Sequence, residues 1–504
     1  MGNSKGKRAA ELEKERKSKN QTRVMGIIIA VIVVVLLAVT LIINSKALKR
    51  NAAAVRINDE SFSVAEYNYF YNNAYYNYVN QVYSSYGDYA SSFLPDNSQP
   101  LSTQIYDEET GQTWEDMFDN LAIESMTKVA ATYAEGKKAG YTLTEEQQQE
   151  LQEELDSVKT NAETYGYSVD EYLRTSFGAS MNEKTYTKLA ERIHYADSYD
   201  QSVREGYKYS DEELSEYYSD NADRFDTFTY RYFYIGPEEY DSEDESAEAA
   251  AVAEAQAKAE EYAADIKTEQ DFIDAARDYD PDSYGEDEST LRHYQGELLG
   301  SIYGDWMKSA DRKYGDVTTS TTENNGTYVV FYMDRSANDY PTVNAYMIQL
   351  DAEAVSEDDY EDDAEGYEAA QQAALDDLKT RAEDLFSQWK SDSDHSAENF
   401  VEYVNKNSDT VTYEDGYAEN IYRYAYEDDM DAWLFDSSRK EGDVELFPSS
   451  DGSSYFLVYF EGTDMDYCDY LADNELRTNA YNEWIDALTA DAKVKKTWLF
   501  SLAK

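Results

Sequence analysis

The chain carries an internal repeat, which constrains its architecture more tightly than any single motif. Trp306, five residues, Arg312-Lys313, one residue and Gly315-Asp316-Val317 return as Trp433, five residues, Arg439-Lys440, one residue and Gly442-Asp443-Val444, an offset of 127. At the same offset Tyr328 meets Tyr455 and Tyr332 meets Tyr459, both in apolar strand-like runs behind the hairpin dipeptides Asn325-Gly326 and Asp451-Gly452. Phe272 and Phe400 stand 128 apart, and the strand-like runs 230–235 and 344–349 stand 114 apart, so the second copy holds about fourteen extra residues around its first helix. Matches in this order describe one folding unit used twice. Each copy reads as a strand, one or more helices, a Gly-containing loop, a short helix bearing the Trp and a closing hairpin: an α+β unit of about 100 residues.

Ahead of the repeat, residues 24–43 are free of charge and almost wholly aliphatic, broken only by Gly26 and Thr40. Twenty residues at 1.5 Å each cross about 30 Å of hydrocarbon, whereas the apolar core of a cleaved signal peptide runs to about 7–15. The expectation is a retained transmembrane helix at 24–44. Residues 1–24 hold eight Lys/Arg and three Glu, against four Lys/Arg in 44–59. This bias puts a basic tail, 1–23, in the cytoplasm and the bulk of the chain outside, as a single-pass cell-membrane protein.

The anchor also divides the charge. The whole chain has 44 Lys plus Arg against 104 Asp plus Glu, a net charge of -60; beyond residue 24 the counts are 36 and 101, or -65. A surface this acidic repels phosphate backbones, which excludes nucleic acid as a partner. The single Cys468 excludes an intrachain disulfide, and three His leave little for a His-based metal site, so no metal and no cofactor are expected. Asp278, Asp280 and Asp282 alternate like the start of a calcium loop, but Ser283 and Ser289 occupy the places where such a loop needs Gly and Glu. The acidic runs 238–248 and 353–365 read as solvated loops or helix ends.

Residues 55–225 read as a helical domain. Capping boxes recur at Ser63 with Glu66, Thr144 with Gln147, Ser168 with Glu171 and Ser210 with Glu213. Trp114, Met117, Phe118, Leu121, Ala122, Val129 and Tyr133 mark one face of a helix ending near Gly140, the stretch 66–86 is dense in Tyr and Asn, and 87–112 reads as a loop.

Taken in order, these segments resemble the parvulin-containing foldases of the PrsA and SurA type. Val55-Arg56-Ile57-Asn58-Asp59 and Ser63-Val64-Ala65-Glu66-Tyr67 are similar to the short strand and first helix of the family's chaperone domain. Ser210-Asp211-Glu212-Glu213-Leu214, Asn221 and Asp223-Arg224-Phe225 resemble the helix that leads into its isomerase domain, followed by Asp271-Phe272, Gly296-Glu297-Leu298-Leu299-Gly300 and Gly315-Asp316-Val317. Leu476-Arg477, Tyr481-Asn482-Glu483-Trp484 and Ala492-Lys493-Val494 are similar to the final helix that returns to the chaperone domain. The resemblance implies two parvulin-like domains, 226–340 and 341–462, and a C-terminal helix in 463–504 that packs on the chaperone domain.

Parvulins place one His on the first strand and one on the last, and hydrogen bonds between them organise the floor of the proline pocket. Here Tyr232 and Tyr328 stand at those positions in the first copy, and Tyr346 and Tyr455 at the equivalent ones in the second. The family's acidic or Cys residue facing the substrate amide has Asp280 or Asp282 as candidates, and Trp306, matched by Trp433, falls at or beside its proline-contacting Phe. Prolyl isomerisation lowers a barrier of about 18–20 kcal/mol without making or breaking a bond, so it needs an apolar socket and surroundings that favour the twisted amide. Tyrosines are bulkier than imidazoles and fill such a socket; packing as ordinary strand residues is the plainer role for them. The expectation is a folding factor for unfolded or nascent secreted polypeptides with degenerate isomerase domains. An active isomerase and a non-enzymatic surface scaffold or adhesin are the alternatives.

Overall fold

The computed structural model describes residues 31, 33–35, 45–238, 245–322, 326–360 and 363–503. The expected tail at 1–23 and, but for four residues, the expected anchor lie outside the described residues, as does Asn325 of the first hairpin dipeptide. Among the described residues no helix is long and apolar enough to cross a membrane. The chain is a mixed α+β protein of two compact units: one formed up to Tyr207 and again from Arg477, the other by Lys208–Leu476.

The first unit is helical around a small sheet. Ser63 starts the Val64–Tyr86 helix with a reciprocal cap: the Glu66 amide donates to the Ser63 hydroxyl (3.3 Å) and the Ser63 amide to the Glu66 carboxylate (2.7 Å). Thr144 and Ser168 cap Glu145–Thr164 and Val169–Phe177 in the same way, and Gly140, in the left-handed region at φ 73°, ends Trp114–Ala139. These helices and Glu183–Gly206 enclose Phe62, Tyr67, Phe70, Met126, Leu173 and Leu189. The sheet is completed from far along the chain, because Val494–Lys496 pairs antiparallel with Ala53–Ile57, whose other neighbour is Glu60–Ser63. Tyr481 donates to Asp200 (2.6 Å) in the same unit.

The second unit begins earlier than the sequence grouping 55–225 placed it. Asp211–Asp220, capped by Ser210 as expected, and Ala222–Phe225 belong to it. Tyr218 donates to Asp226 (2.9 Å), and the Asn338 amide donates to the Phe225 carbonyl (2.9 Å), which ties them to the strands that follow. The chain leaves this unit within the Tyr467–Thr489 helix.

Both copies of the repeat are four-stranded antiparallel sheets of one topology. The first has the order Leu291–Gln295, Thr227–Ile235, Thr327–Ser336, Val317–Thr321; the second Tyr417–Ile421, Pro341–Asp351, Ser454–Asp466, Val444–Pro448. Two helices cover one face of each: Glu245–Asp265 with Glu269–Tyr279 over Phe233, Val329 and Phe331, and Ala364–Ser391 with Ala397–Asn407 over Ile348, Leu457 and Tyr459. Phe272 and Phe400 hold the same place in these two cores. Gly315 and Gly442 sit at φ 90° and 89°, a conformation that favours glycine, and their amides donate to the carbonyls of Tyr332 and Phe460 (3.0 Å each).

That last pair corrects the alignment of the copies. Val317 opposes Phe331 while Val444 opposes Tyr459, so the closing strands correspond at an offset of 128. On the first strands Tyr232 opposes Val330 while Met347 opposes Val458, an offset of 115. Side chains alternate between faces along a strand, so a one-residue slip exchanges the faces. Tyr346 and Tyr455 therefore lie on the helix-covered face, and the residues equivalent to Tyr232 and Tyr328 are Met347 and Phe456. The physical reason at the closing strand is the hairpin: Thr321 pairs with Thr327 in the first copy, Pro448 with Tyr455 in the second, one residue longer.

Candidate functional site

The helix-free face of each sheet is where the candidate residues converge. In the first copy it carries Tyr230, Tyr232, Tyr328 and Tyr332, with Tyr303, Trp306 and Met307 packed over them from the loop and short helix that follow the edge strand. Tyr232 and Tyr328 meet ring to ring, edge-on with centroids 5.7 Å apart, and Tyr328 also abuts Tyr303 at 5.6 Å. The shared phenolic hydrogen bond of this face joins Tyr230 to Tyr303 (3.2 Å), and burial raises the pKa of both phenols. Arg292 lies 4.8 Å over the Tyr232 ring. Aromatic rings therefore fill this face of the first sheet.

Trp306 contacts Tyr332 edge-on (6.5 Å), with the Arg312 guanidinium 4.6 Å from its ring and ion-paired to Asp316 (3.4 Å). Trp433 repeats this with Phe460 (6.4 Å), Arg439 (5.0 Å) and Asp443 (3.8 Å). The motif that exposed the repeat is thus a Trp–Arg–Asp clamp closed by a glycine turn. Asp280 and Asp282 are not among the residues packed on this face. The Asp280 carboxylate accepts from the amides of Asp282 and Ser283 (3.1 Å each), capping its own turn, and the Ser283 hydrogen bonds hold its pKa below the usual carboxylate value. Among the described residues no group of three or more His, Cys, Asp and Glu is placed to hold a metal ion.

The second copy keeps an opening where the first is filled. A cavity of about 220 Å³ is lined by Met347, Phe456, Val411, Tyr413, Tyr426 and Gly416, among others. Gly416 has φ 72°, and a Cβ there would lie 2.5 Å from the Met347 carbonyl, so the loop can close this cavity only with glycine. Met347 and Phe456 were hidden by the tyrosine matches beside them; hairpin length was the signal able to find Phe456.

The two copies touch through His293 and Tyr424, stacked at 3.7 Å and 3°. His293 Nδ1 is 2.9 Å from the Thr229 hydroxyl, and burial lowers its pKa, opposed by the nearby Asp428 and reinforced by Arg231. A lowered pKa means that folding favours the neutral ring. The stabilisation is complete above the ordinary histidine pKa of about 6.5 and is lost as pH falls through the lower folded value. Thermal unfolding should therefore show a destabilising step on acidification below pH ~6.5 that His293→Phe abolishes. Parallel pH profiles for the two proteins would refute this.

The helical unit has a larger opening, a groove of about 660 Å³ between the Val64–Tyr86, Trp114–Ala139 and Glu183–Gly206 helices. Leu121 reaches into it, 38% exposed, from the helix face that the sequence marked as apolar. Tyr78 and Tyr106 pack on Trp114 at 5.5 and 4.8 Å along its rim. The abundance of Tyr and Asn in 66–86 was visible in the sequence; that it faces a groove was not.

No protein-family model matches the chain, and no curated protein does. Among solved structures it has distant similarity to three PrsA foldases. That of Bacillus subtilis is 17% identical, covering 54% of this chain and 88% of its own, with a TM-score of 0.15. The foldase protein PrsA of Streptococcus pneumoniae is 14% identical over 53% and 85%, with a TM-score of 0.21. That of Lactococcus lactis is 12% identical over 71% and 93%, with a TM-score of 0.19.

Proposed function

We propose that the protein is a folding factor that holds unfolded or nascent secreted polypeptides just outside the cell membrane, anchored by one transmembrane helix at 24–44 with residues 1–23 in the cytoplasm. The helical unit is the holding surface, and the two copies of the repeat are parvulin-like domains of reduced or no isomerase activity. The observation that carries this reading is the open, aromatic-edged groove of the helical unit. Large amphipathic rings beside an exposed Leu offer contact area without demanding one partner sequence. In the first copy, Tyr232, Tyr328 and Tyr303 occupy their own face, which favours a structural or weak binding role there.

The test is suppression of aggregation by the full chain in detergent micelles. Stoichiometric protein should delay aggregation of a reduced, unfolding client, and Leu121→Asp should weaken that protection at least severalfold. A scaffold or adhesin gives no protection, and that result would sink the proposal. The cavity at Met347 and Phe456 favours a second reading, residual prolyl isomerase activity confined to the second copy. It requires catalysis of a Xaa-Pro peptide in a protease-coupled assay that survives Trp306→Ala and is lost when Met347→Trp fills the cavity.

A further inference from the structure

Building on the groove as a client-holding surface, we infer that it is selective for charge: it takes an extended segment bearing a Lys or Arg, whose cation meets Asp197, with an apolar residue about four positions away against Met117 and Leu121. Asp197 opens into the groove from the Glu183–Gly206 helix and has no hydrogen bond or ion pair among the described contacts. Lys128 also lines the groove and is the main charge acting on Asp197, but its ammonium pairs with Asp200 (3.6 Å) and lies over the Tyr481 ring (5.4 Å). Surrounding protein raises the Asp197 pKa, with Lys128 offsetting part of that. A carboxylate influenced by cations of its own chain but directly paired with none gains an ion pair from an incoming cation.

The groove wall specifies the rest of the occupant. Asn73, Asn77 and Gln81 recur every four residues on the Val64–Tyr86 helix and so form one stripe, about 12 Å long at 1.5 Å per residue. That length matches about four residues of extended chain. Side-chain amides donate and accept, so the stripe can pair with the backbone of a strand of any sequence. Asp197 acts on the Tyr69 phenol and so lies at that end of the groove, while Tyr78 and Tyr106 stand at the other end, against Trp114. The field of a chain at -60 gathers cationic segments and repels acidic ones.

The test is fluorescence anisotropy with the full chain in detergent micelles and two labelled nonapeptides, otherwise neutral, one with Lys four positions before a Leu and its twin with norleucine for Lys. The Lys peptide should bind about tenfold more tightly at low salt, with the preference shrinking as salt is added. Asp197→Asn should erase the preference and Asp197→Glu should retain it. Equal affinities for the wild type, or a preference that survives Asp197→Asn, would overturn the cation site while leaving the groove as a holding surface. Failure of both peptides to bind would overturn the groove itself, and the holding function with it.

Discussion

Arg231→Ala will lower the unfolding free energy of the second unit by about 3 kcal/mol, the low end of the range for breaking a buried ion pair. Arg231 is 3% exposed on the helix-covered face of the first sheet. It donates through Nε to Glu269 (2.8 Å) and through Nη1 to the Asp287 carbonyl (2.6 Å) and the Thr290 hydroxyl (3.0 Å). One side chain thus ties the first strand to the second helix and to the turn before the edge strand. Truncation removes all three donations from a region that water reaches poorly. The loss stays at the low end because Glu269 is partly exposed and keeps a hydrogen bond from Tyr314 (2.9 Å). Urea unfolding followed by tyrosine and tryptophan fluorescence measures it, and a loss below about 1 kcal/mol would contradict the account. The corresponding position of the second copy is Tyr346, so one slot is closed by an ion pair in one sheet and by an aromatic ring in the other.

Phe272→Ala and Phe400→Ala will each cost about 3–5 kcal/mol, through lost burial and the cavity left behind. Both rings are fully buried. Phe272 packs between Phe233 (5.2 Å) and Phe331 (5.8 Å), Phe400 between Trp389 (5.1 Å) and Tyr459 (5.2 Å). Phe233, Phe331 and Tyr459 sit on strands fixed by their sheets, and Trp389 on the helix beside Phe400, so neither site can collapse freely to fill the space. Each substitution removes the centre of its own core and leaves the other copy's core untouched. Calorimetry should show one transition shifted by each variant, not the same one for both. A shared shift of one transition would mean that the copies unfold as a single body; shifts under ~1 kcal/mol would mean that the aromatic cores are not what hold the sheets to their helices.

Much of the fold was legible because its determinants are local. Ser63, Thr144, Ser168 and Ser210 cap helices as their spacing to Glu or Gln indicates, while Thr113 and Thr268 do the same with Asp116 and Asp271, a shorter partner that the four-residue pattern passes over. The repeated Trp, Arg-Lys and Gly-Asp-Val spacing was legible because a glycine turn tolerates few other sequences; that its side chains form a clamp was not. Strand register was not, since it depends on the length of a hairpin. With 49 tyrosines in the chain, Tyr328 and Tyr455 align at the wrong offset as readily as at the right one. The error of one residue placed Tyr346 and Tyr455 on the wrong face and hid Met347 and Phe456. The groove was beyond the sequence for a different reason: its walls come from three helices whose packing is set by Phe70, Met126 and Leu189 in the core.

The sheet of the helical unit joins segments synthesised far apart, with the Lys493 amide donating to Asn58 across 435 residues. A ribosome therefore synthesises the whole of Lys208–Leu476 before the strand at 494–496 exists. Until then, Ala53–Ile57 is an open edge with unpaired backbone groups, while the inserted unit has every residue that it needs. The expected order of folding is inside-out, with the part made first finished last and its long-range pairing the slow step, which pulse-labelled hydrogen exchange would check by late protection of the 53–57 amides. Until then the helical unit waits, incomplete, on a strand made hundreds of residues later.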